Sequence, residues 1–202
     1  MSTLTPIQRR QRYTPLLIAL LFLLPLALSF YLYYGSNGWR PGGQVNYGEL
    51  IIPPRPLPAV TLRQPDGVEV HRPFEGAWSL ILVGTGACND QCRKALYVMR
   101  QVRLALNQDS ARVRRVFLYH GECCEQPYFS REQSGLIVLD IDSVDGAPIR
   151  ETFAAVNSPP AQSARIWLSD PLGNLMMSYP ADAEPKGLLR DLQRLLKLSH
   201  IG

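Results

Sequence analysis

Four cysteines and one histidine are the residues of this sequence whose types and spacing suit redox or metal chemistry. Cys88 and Cys92 lie four positions apart in the stretch GTGACNDQCRKAL. Cys123 and Cys124 are adjacent, and His120 shortly precedes them in YHGECCE. Two thiolates suit Cu(I), which is a soft ion, and they also suit a reversible dithiol–disulfide couple. The alternatives are a purely structural disulfide or two unreactive free thiols.

The C-x-x-x-C motif lies between a predicted strand and a predicted helix. The apolar run at 77–84 is typical of a strand buried on both faces. Residues 91–106 carry apolar side chains at helical spacing, and Asn89 or Asp90 is expected to cap this helix. A helix N-terminus stabilises a thiolate, so the position suits both chemistries. On one helix face, the two Cα atoms should be about 6 Å apart, near the upper limit for a disulfide.

A second predicted strand, VRRVFLYH, ends at His120. We expect it to lie parallel to the first strand and next to it, so that both carboxyl ends open on one edge of the sheet. The candidate metal site is therefore Cys88, Cys92 and His120. Cys123 and Cys124 are possible auxiliary thiols, and either could resolve a mixed disulfide. A bridge between these two adjacent cysteines is not expected, because it would be strained.

The remaining patterns complete an α/β order of strands and helices. Turn residues predict hairpins around Pro65-Asp66-Gly67 and around the DPLG sequence at 170–173. A short strand and a short helix are predicted between them, and the last helix is predicted over 184–198. This order predicts an α/β domain with a thioredoxin-like sheet flanked by helices, because the redox-spaced cysteines stand at the first strand–helix junction.

The N-terminal region predicts a single transmembrane helix ahead of this domain. Residues 15–34 contain no charged side chain, which fits a membrane anchor at 14–34. Three arginines in the tail 1–13 place that tail in the cytoplasm by the positive-inside rule. A signal peptide cleaved near Ala27-Leu28-Ser29 is the alternative, although the apolar stretch is longer than the usual signal core.

Residues after the anchor are predicted to face the periplasm of an inner membrane, where thiols tend to oxidise. A Gly- and Pro-rich linker is predicted at 35–56, followed by the thioredoxin-like domain at 57–202. The formal net charge is only +4, and an arginine cluster precedes the anchor. Nucleic acid is therefore not an expected partner.

Several of these features together resemble the Sco (SenC) group of thioredoxin-like proteins, which are membrane-anchored and deliver copper to cytochrome c oxidase. The shared features are the anchor, the PDG hairpin, the strand ending in GTGAC, the C-x-x-x-C spacing and the WLSDPLG hairpin. The resemblance implies Cu(I) as the bound metal. It also implies an oxidase subunit or another assembly factor as the partner.

The sequence departs from the Sco pattern at two positions. Proline usually follows the second cysteine in that group, whereas Arg93 follows Cys92 here. The third copper ligand of the group is a histidine, and the matching position falls at or near Gln162, in a stretch without histidine. Three functions stay open: copper handling, a thiol–disulfide oxidoreductase without copper delivery, and a scaffold that has lost both activities.

Overall fold

The computed structural model describes residues 6–35, 46–124, 126–156 and 164–199. The chain divides into two compact units, Met1–Val45 and Asn46–Gly202. The first unit contains helix α1 (Pro6–Phe30), which is continued by a π-helical turn at Tyr31–Gly35.

Helix α1 and its continuation include one candidate for a membrane span. The window Leu17–Gly35 has a mean hydropathy of 2.1, and none of it is buried within the protein. Its length and composition are those of a segment that crosses a bilayer, although a signal sequence would share them. The predicted N-terminal apolar helix is therefore confirmed.

The second unit is a mixed α/β domain. Its strands are β1 (Glu49–Pro56), β2 (Thr61–Arg63), β3 (Glu69–His71), β4 (Trp78–Thr85), β5 (Val113–His120), β6 (Leu136–Asp140), β7 (Arg165–Ser169) and β8 (Asn174–Pro180). Its helices are α2 (Asp90–Ala105), α3 (Gln126–Glu132), α4 (Ala147–Val156) and α5 (Pro185–Leu198).

These strands form one sheet in the order β1-β8-β7-β4-β5-β6-β2-β3. Strands β4, β5 and β6 are parallel neighbours, whereas β7 runs antiparallel to β4. Alternate residues of β4 enter two separate cores. Leu80 and Leu82 pack with α2 and α5, and Ile81 packs on the opposite face with Ile149 and Phe153 of α4. The thioredoxin-like sheet flanked by helices is confirmed.

Strand β1 occupies residues that the sequence assigned to the linker. The prediction placed residues 35–56 in a tether, whereas the structure pairs Glu49–Pro56 with β8. Prolines in this segment suggested a stiff linker, but an edge strand tolerates proline because it needs hydrogen bonds on only one side. Residues 36–45 of the predicted linker lie outside the described part of the chain.

A buried carboxylate holds the start of β1 against helix α5. Asp191 accepts hydrogen bonds from the backbone N–H groups of Tyr47 and Gly48, at 2.8 and 3.0 Å. The Tyr179 hydroxyl donates to the same carboxylate oxygen at 2.9 Å. Asp191 is only 5% exposed, so these donors replace the water that its charge would otherwise bind.

Tyr179→Phe is expected to reduce stability in a way that depends on pH. Burial, followed by the charge of Asp191 and the hydrogen bond to it, raises the pKa of Tyr179 above its ordinary value of 10.0. The stabilisation from this protonated hydroxyl is complete below the unfolded pKa and is lost as the pH rises towards the folded pKa. We expect the variant to lose about 1–2 kcal/mol of unfolding free energy near neutral pH, and the difference from wild type to shrink above about pH 10.

Urea unfolding of the full chain in mild detergent, followed by tryptophan fluorescence at several pH values, measures this difference. Other tyrosines affect both proteins equally, so they cancel in the comparison. A difference that stays constant up to about pH 11 would contradict the assignment.

Candidate functional site

The carboxyl ends of strands β4 and β5 position the candidate site. The two strands are parallel, and their last residues, Thr85 and His120, are direct neighbours across the sheet. The loop after β4 leads to Cys88 and α2, while the loop after β5 leads to Cys123 and Cys124. The prediction that the two loops emerge at one edge of the sheet is therefore confirmed.

Cys88 and Cys92 form a disulfide across the start of α2. Their Cα atoms are 5.2 Å apart, closer than the distance of about 6 Å expected for one helix face. Cys92 lies in the first turn, and its N–H donates to the Asn89 side chain at 3.0 Å, which identifies Asn89 as the cap. Cys88 lies before the cap with a left-handed φ of 45°. Such a conformation in a non-glycine residue is uncommon, and it concentrates at functional sites.

Both cysteines of this disulfide are buried in the core between the sheet, α2 and α5. Cys88 is 1% exposed and Cys92 is 4% exposed. They belong to the same apolar cluster as Leu82 and Phe117. A reactant of protein size therefore has little direct access to these residues.

Cys123 and Cys124 are joined to each other in a vicinal disulfide. The peptide bond between them is cis, and their Cα atoms are 3.1 Å apart. The expectation that these adjacent cysteines do not bridge is therefore wrong. Both residues are half-buried and pack against the apolar cluster that contains Cys88 and Cys92.

Gly86 brings the two cysteine-bearing loops into contact. Its N–H donates to the His120 carbonyl at 2.9 Å. A Cβ atom built on Gly86 would lie 2.1 Å from the Glu122 carbonyl oxygen and 2.8 Å from the Cys123 Cα. Only glycine permits this approach. The quoted stretch GTGAC contains the residue, but local sequence gives no sign of which backbone it meets.

His120 ends β5 as predicted, and it is exposed. In the described part of the chain, no three or more His, Cys, Asp or Glu side chains are grouped closely enough to hold a metal ion. The cysteines of the proposed ligand set are also oxidised here. A metal site with Cys88, Cys92 and His120 as ligands thus remains a prediction for the reduced protein. Gln162, at the position of the family histidine, lies outside the described residues.

Arg93 links the disulfide loop to α3, a helix that the sequence analysis missed. Its Nε donates to the Cys88 carbonyl at 3.2 Å, and its guanidinium lies 4.8 Å from the centre of the Tyr128 ring. A proline at this position, as in the Sco pattern, would make neither contact. Helix α3 is short, and Phe129 fixes it by stacking on Phe117 with ring centres 5.6 Å apart.

A buried arginine supports α3 from beneath. Arg115 donates to Gln133 at 2.9 Å, and Gln133 in turn donates to the Tyr128 hydroxyl at 3.1 Å. Burial, and then repulsion from Arg103 and Arg100, lowers the pKa of Arg115 to about 10.

The groove in front of this network is basic. Its lining includes Arg93, Lys94 and Arg100 with Glu132 as the acidic member. Arg93 joins this groove to the disulfide loop, because it lines the groove and donates to the Cys88 carbonyl.

Comparisons with known structures show the same fold in Sco proteins. The apo Sco1 protein from Thermus thermophilus is 18% identical with a TM-score of 0.58, over 76% of this chain and 99% of that one. BsSco, a member of the Sco family of cytochrome c oxidase assembly proteins in which a disulfide switch was identified, is 15% identical with a TM-score of 0.56, over 78% and 100%. Yeast Sco1 with copper bound is 15% identical with a TM-score of 0.55, over 77% and 95%.

At the level of sequence, no curated protein matches this chain. Residues 78–199 match the family described as transmembrane-like, thioredoxin-like, C-terminal domain. This match covers more than half of the chain and includes α2, both cysteine pairs and α5. The chain belongs to this transmembrane-like, thioredoxin-like family.

Proposed function

We propose that this chain is a membrane-anchored, Sco-like accessory factor in cytochrome c oxidase assembly that acts through dithiol–disulfide exchange at Cys88 and Cys92. The observation that carries the proposal is the disulfide between these residues at the first strand–helix junction of a thioredoxin-like domain. The fold shared with Sco proteins, including one with an identified disulfide switch, supports it. The partner is an oxidase subunit or another assembly factor.

The proposed topology follows the charge pattern of the N-terminal region. Residues 1–13 form the cytoplasmic tail, 14–34 cross the inner membrane, and the thioredoxin-like domain faces the periplasm. An oxidising compartment of this kind suits a chain whose described cysteines are all in disulfides.

The site has features that favour thiolates in the reduced state. Cys92 lies in the first turn of α2, where the helix dipole favours negative charge. The Arg93 side chain donates to the Cys88 carbonyl, so a cation also lies near the Cys88 backbone. In the exchange reaction, a thiolate attacks one sulfur of a disulfide and the other sulfur leaves as a thiolate.

A redox titration of the full chain in detergent tests this proposal. The protein is equilibrated with glutathione buffers, and the Cys88 and Cys92 thiols are quantified by alkylation and mass spectrometry. The double variant Cys123→Ser/Cys124→Ser serves as a control in which only one couple titrates. We expect a reduction potential above about −300 mV, whereas a much lower value would identify an inert structural bridge and contradict the proposal.

Copper handling is the second candidate function, and the fold shared with copper-bound yeast Sco1 favours it. Reduced Cys88 and Cys92 would supply two soft thiolate ligands for Cu(I), and His120 is the proposed third ligand. Copper would then be cargo for delivery to the oxidase.

A competition titration tests the copper function independently of redox. The reduced full chain is titrated anaerobically with Cu(I) against a chelator. Tight one-to-one binding that Cys88→Ser abolishes would support copper delivery, and a weaker complex in His120→Ala would assign the third ligand. Equal binding by the wild type and Cys88→Ser would rule out this site.

A further inference from the structure

We propose that the vicinal pair Cys123–Cys124 is the entry point through which a dithiol protein reduces the buried Cys88–Cys92 disulfide. This inference rests on the proposed redox function of Cys88 and Cys92. It adds a second redox site and an order in which the two sites react.

Unequal access to the two disulfides is the first observation. Thiol–disulfide exchange requires the attacking thiolate to reach a sulfur atom. The residues of the C-x-x-x-C motif, Cys88 and Cys92, are 1% and 4% exposed. Cys123 and Cys124 are only half-buried, and the residues just before them, Gly121 and Glu122, are exposed. A partner protein therefore meets the vicinal pair first.

The contact between the two loops is the second observation. The backbone of Gly86, two residues before Cys88, packs directly on Glu122 and Cys123. A Cβ atom on Gly84 would lie 4.0 Å from the Cys92 sulfur, so this second glycine borders the other end of the motif. Gly86 carries no side chain that would separate the two loops at this contact. Both pairs also pack on one apolar cluster.

The reaction is a balanced exchange in two stages. A dithiol protein first reduces Cys123–Cys124 and becomes a disulfide itself. One vicinal thiolate then attacks the Cys88–Cys92 bond, which forms a bridge between the loops and releases the other sulfur of the motif as a thiolate. The second vicinal thiolate attacks this bridge, re-forms Cys123–Cys124 and releases the second thiolate. Two electrons and two protons pass from the partner dithiol to Cys88 and Cys92.

A rapid-quench experiment on the oxidised full chain in detergent tests the order of the two reductions. A reduced thioredoxin is the protein probe, and a small phosphine is the probe that needs no protein docking. Samples are quenched with acid, alkylated and mapped by mass spectrometry. In wild type we expect the Cys123 and Cys124 thiols to appear before those of Cys88 and Cys92.

The double variant Cys123→Ser/Cys124→Ser separates entry from intrinsic reactivity. We expect reduction of Cys88–Cys92 by thioredoxin to slow by about tenfold or more, while reduction by the phosphine changes little. An unchanged rate with thioredoxin would overturn the inference and leave the proposed redox function intact. If neither probe reduces Cys88–Cys92 in the folded wild type, the proposed redox function itself fails.

Trapped intermediates give a readout that does not depend on rates. Cys88→Ser and Cys92→Ser each leave one thiol of the motif free. Under a glutathione redox buffer, we expect at least one of these variants to form a bridge between the motif and Cys123 or Cys124. If peptide mapping finds no such bridge in either folded variant, the two pairs do not exchange.

Discussion

Gly86→Ala is expected to lower the unfolding free energy of the chain by about 3 kcal/mol, because a single added carbon overpacks the contact between the two cysteine loops. That Cβ would lie 2.1 Å from the Glu122 carbonyl oxygen, 2.7 Å from its carbonyl carbon and 2.8 Å from the Cys123 Cα. All three are backbone atoms, so no side-chain rotation relieves the clash. The loop after β5 must move instead, which carries Cys123 and Cys124 away from the motif.

Gly67→Ala is the matched control for this substitution. Gly67 has a φ of 87°, and a Cβ there would meet nothing within 4 Å. Gly67→Ala should lose about 1–2 kcal/mol of unfolding free energy, because alanine disfavours the left-handed backbone conformation. Urea unfolding measures the stability of both variants. Reduction of the Cys88–Cys92 disulfide by thioredoxin should be slower only in Gly86→Ala. A loss at Gly86→Ala below about 0.5 kcal/mol would show that the loop contact yields at little cost.

Asp191→Ala is expected to lower the unfolding free energy by about 3 kcal/mol, because it leaves two buried donors and one partly buried donor without an acceptor. The lost bonds are those from the N–H groups of Tyr47 and Gly48 and from the Tyr179 hydroxyl. Gly48 lies close to the Tyr179 ring, because a Cβ atom built on it would be 2.5 Å from a ring carbon. We therefore expect the start of β1 to detach from α5 before the rest of the sheet unfolds.

Two variants make this prediction specific. Asp191→Asn keeps one acceptor oxygen and should lose about half as much stability. Asp182→Ala makes the same change as Asp191→Ala at an exposed residue and should stay within about 0.5 kcal/mol of wild type. Hydrogen exchange of the Gly48 amide provides the local readout. If that amide stays protected in Asp191→Ala, another group holds β1 in place.

The sequence alone determined the elements that carry the C-x-x-x-C motif. A continuous apolar run, a helical repeat and turn residues are local signals, and they predicted β4, α2, β5 and both hairpins. The parallel pairing of β4 with β5 followed from the general rules for α/β sheets. The apolar N-terminal helix was equally readable, because composition and length suffice to indicate a candidate membrane span.

Tertiary structure alone decided how the site is assembled. Proline made β1 resemble a linker, and only its pairing with β8 shows it to be an edge strand. The contact of Gly86 with Glu122 and the reach of Arg93 to Tyr128 join residues more than thirty positions apart. Periodicity describes which face of an element is buried, but it does not specify which distant backbone packs there. For that reason the sequence identified the four cysteines, whereas the fold placed one pair in the core and the other beside it near the surface.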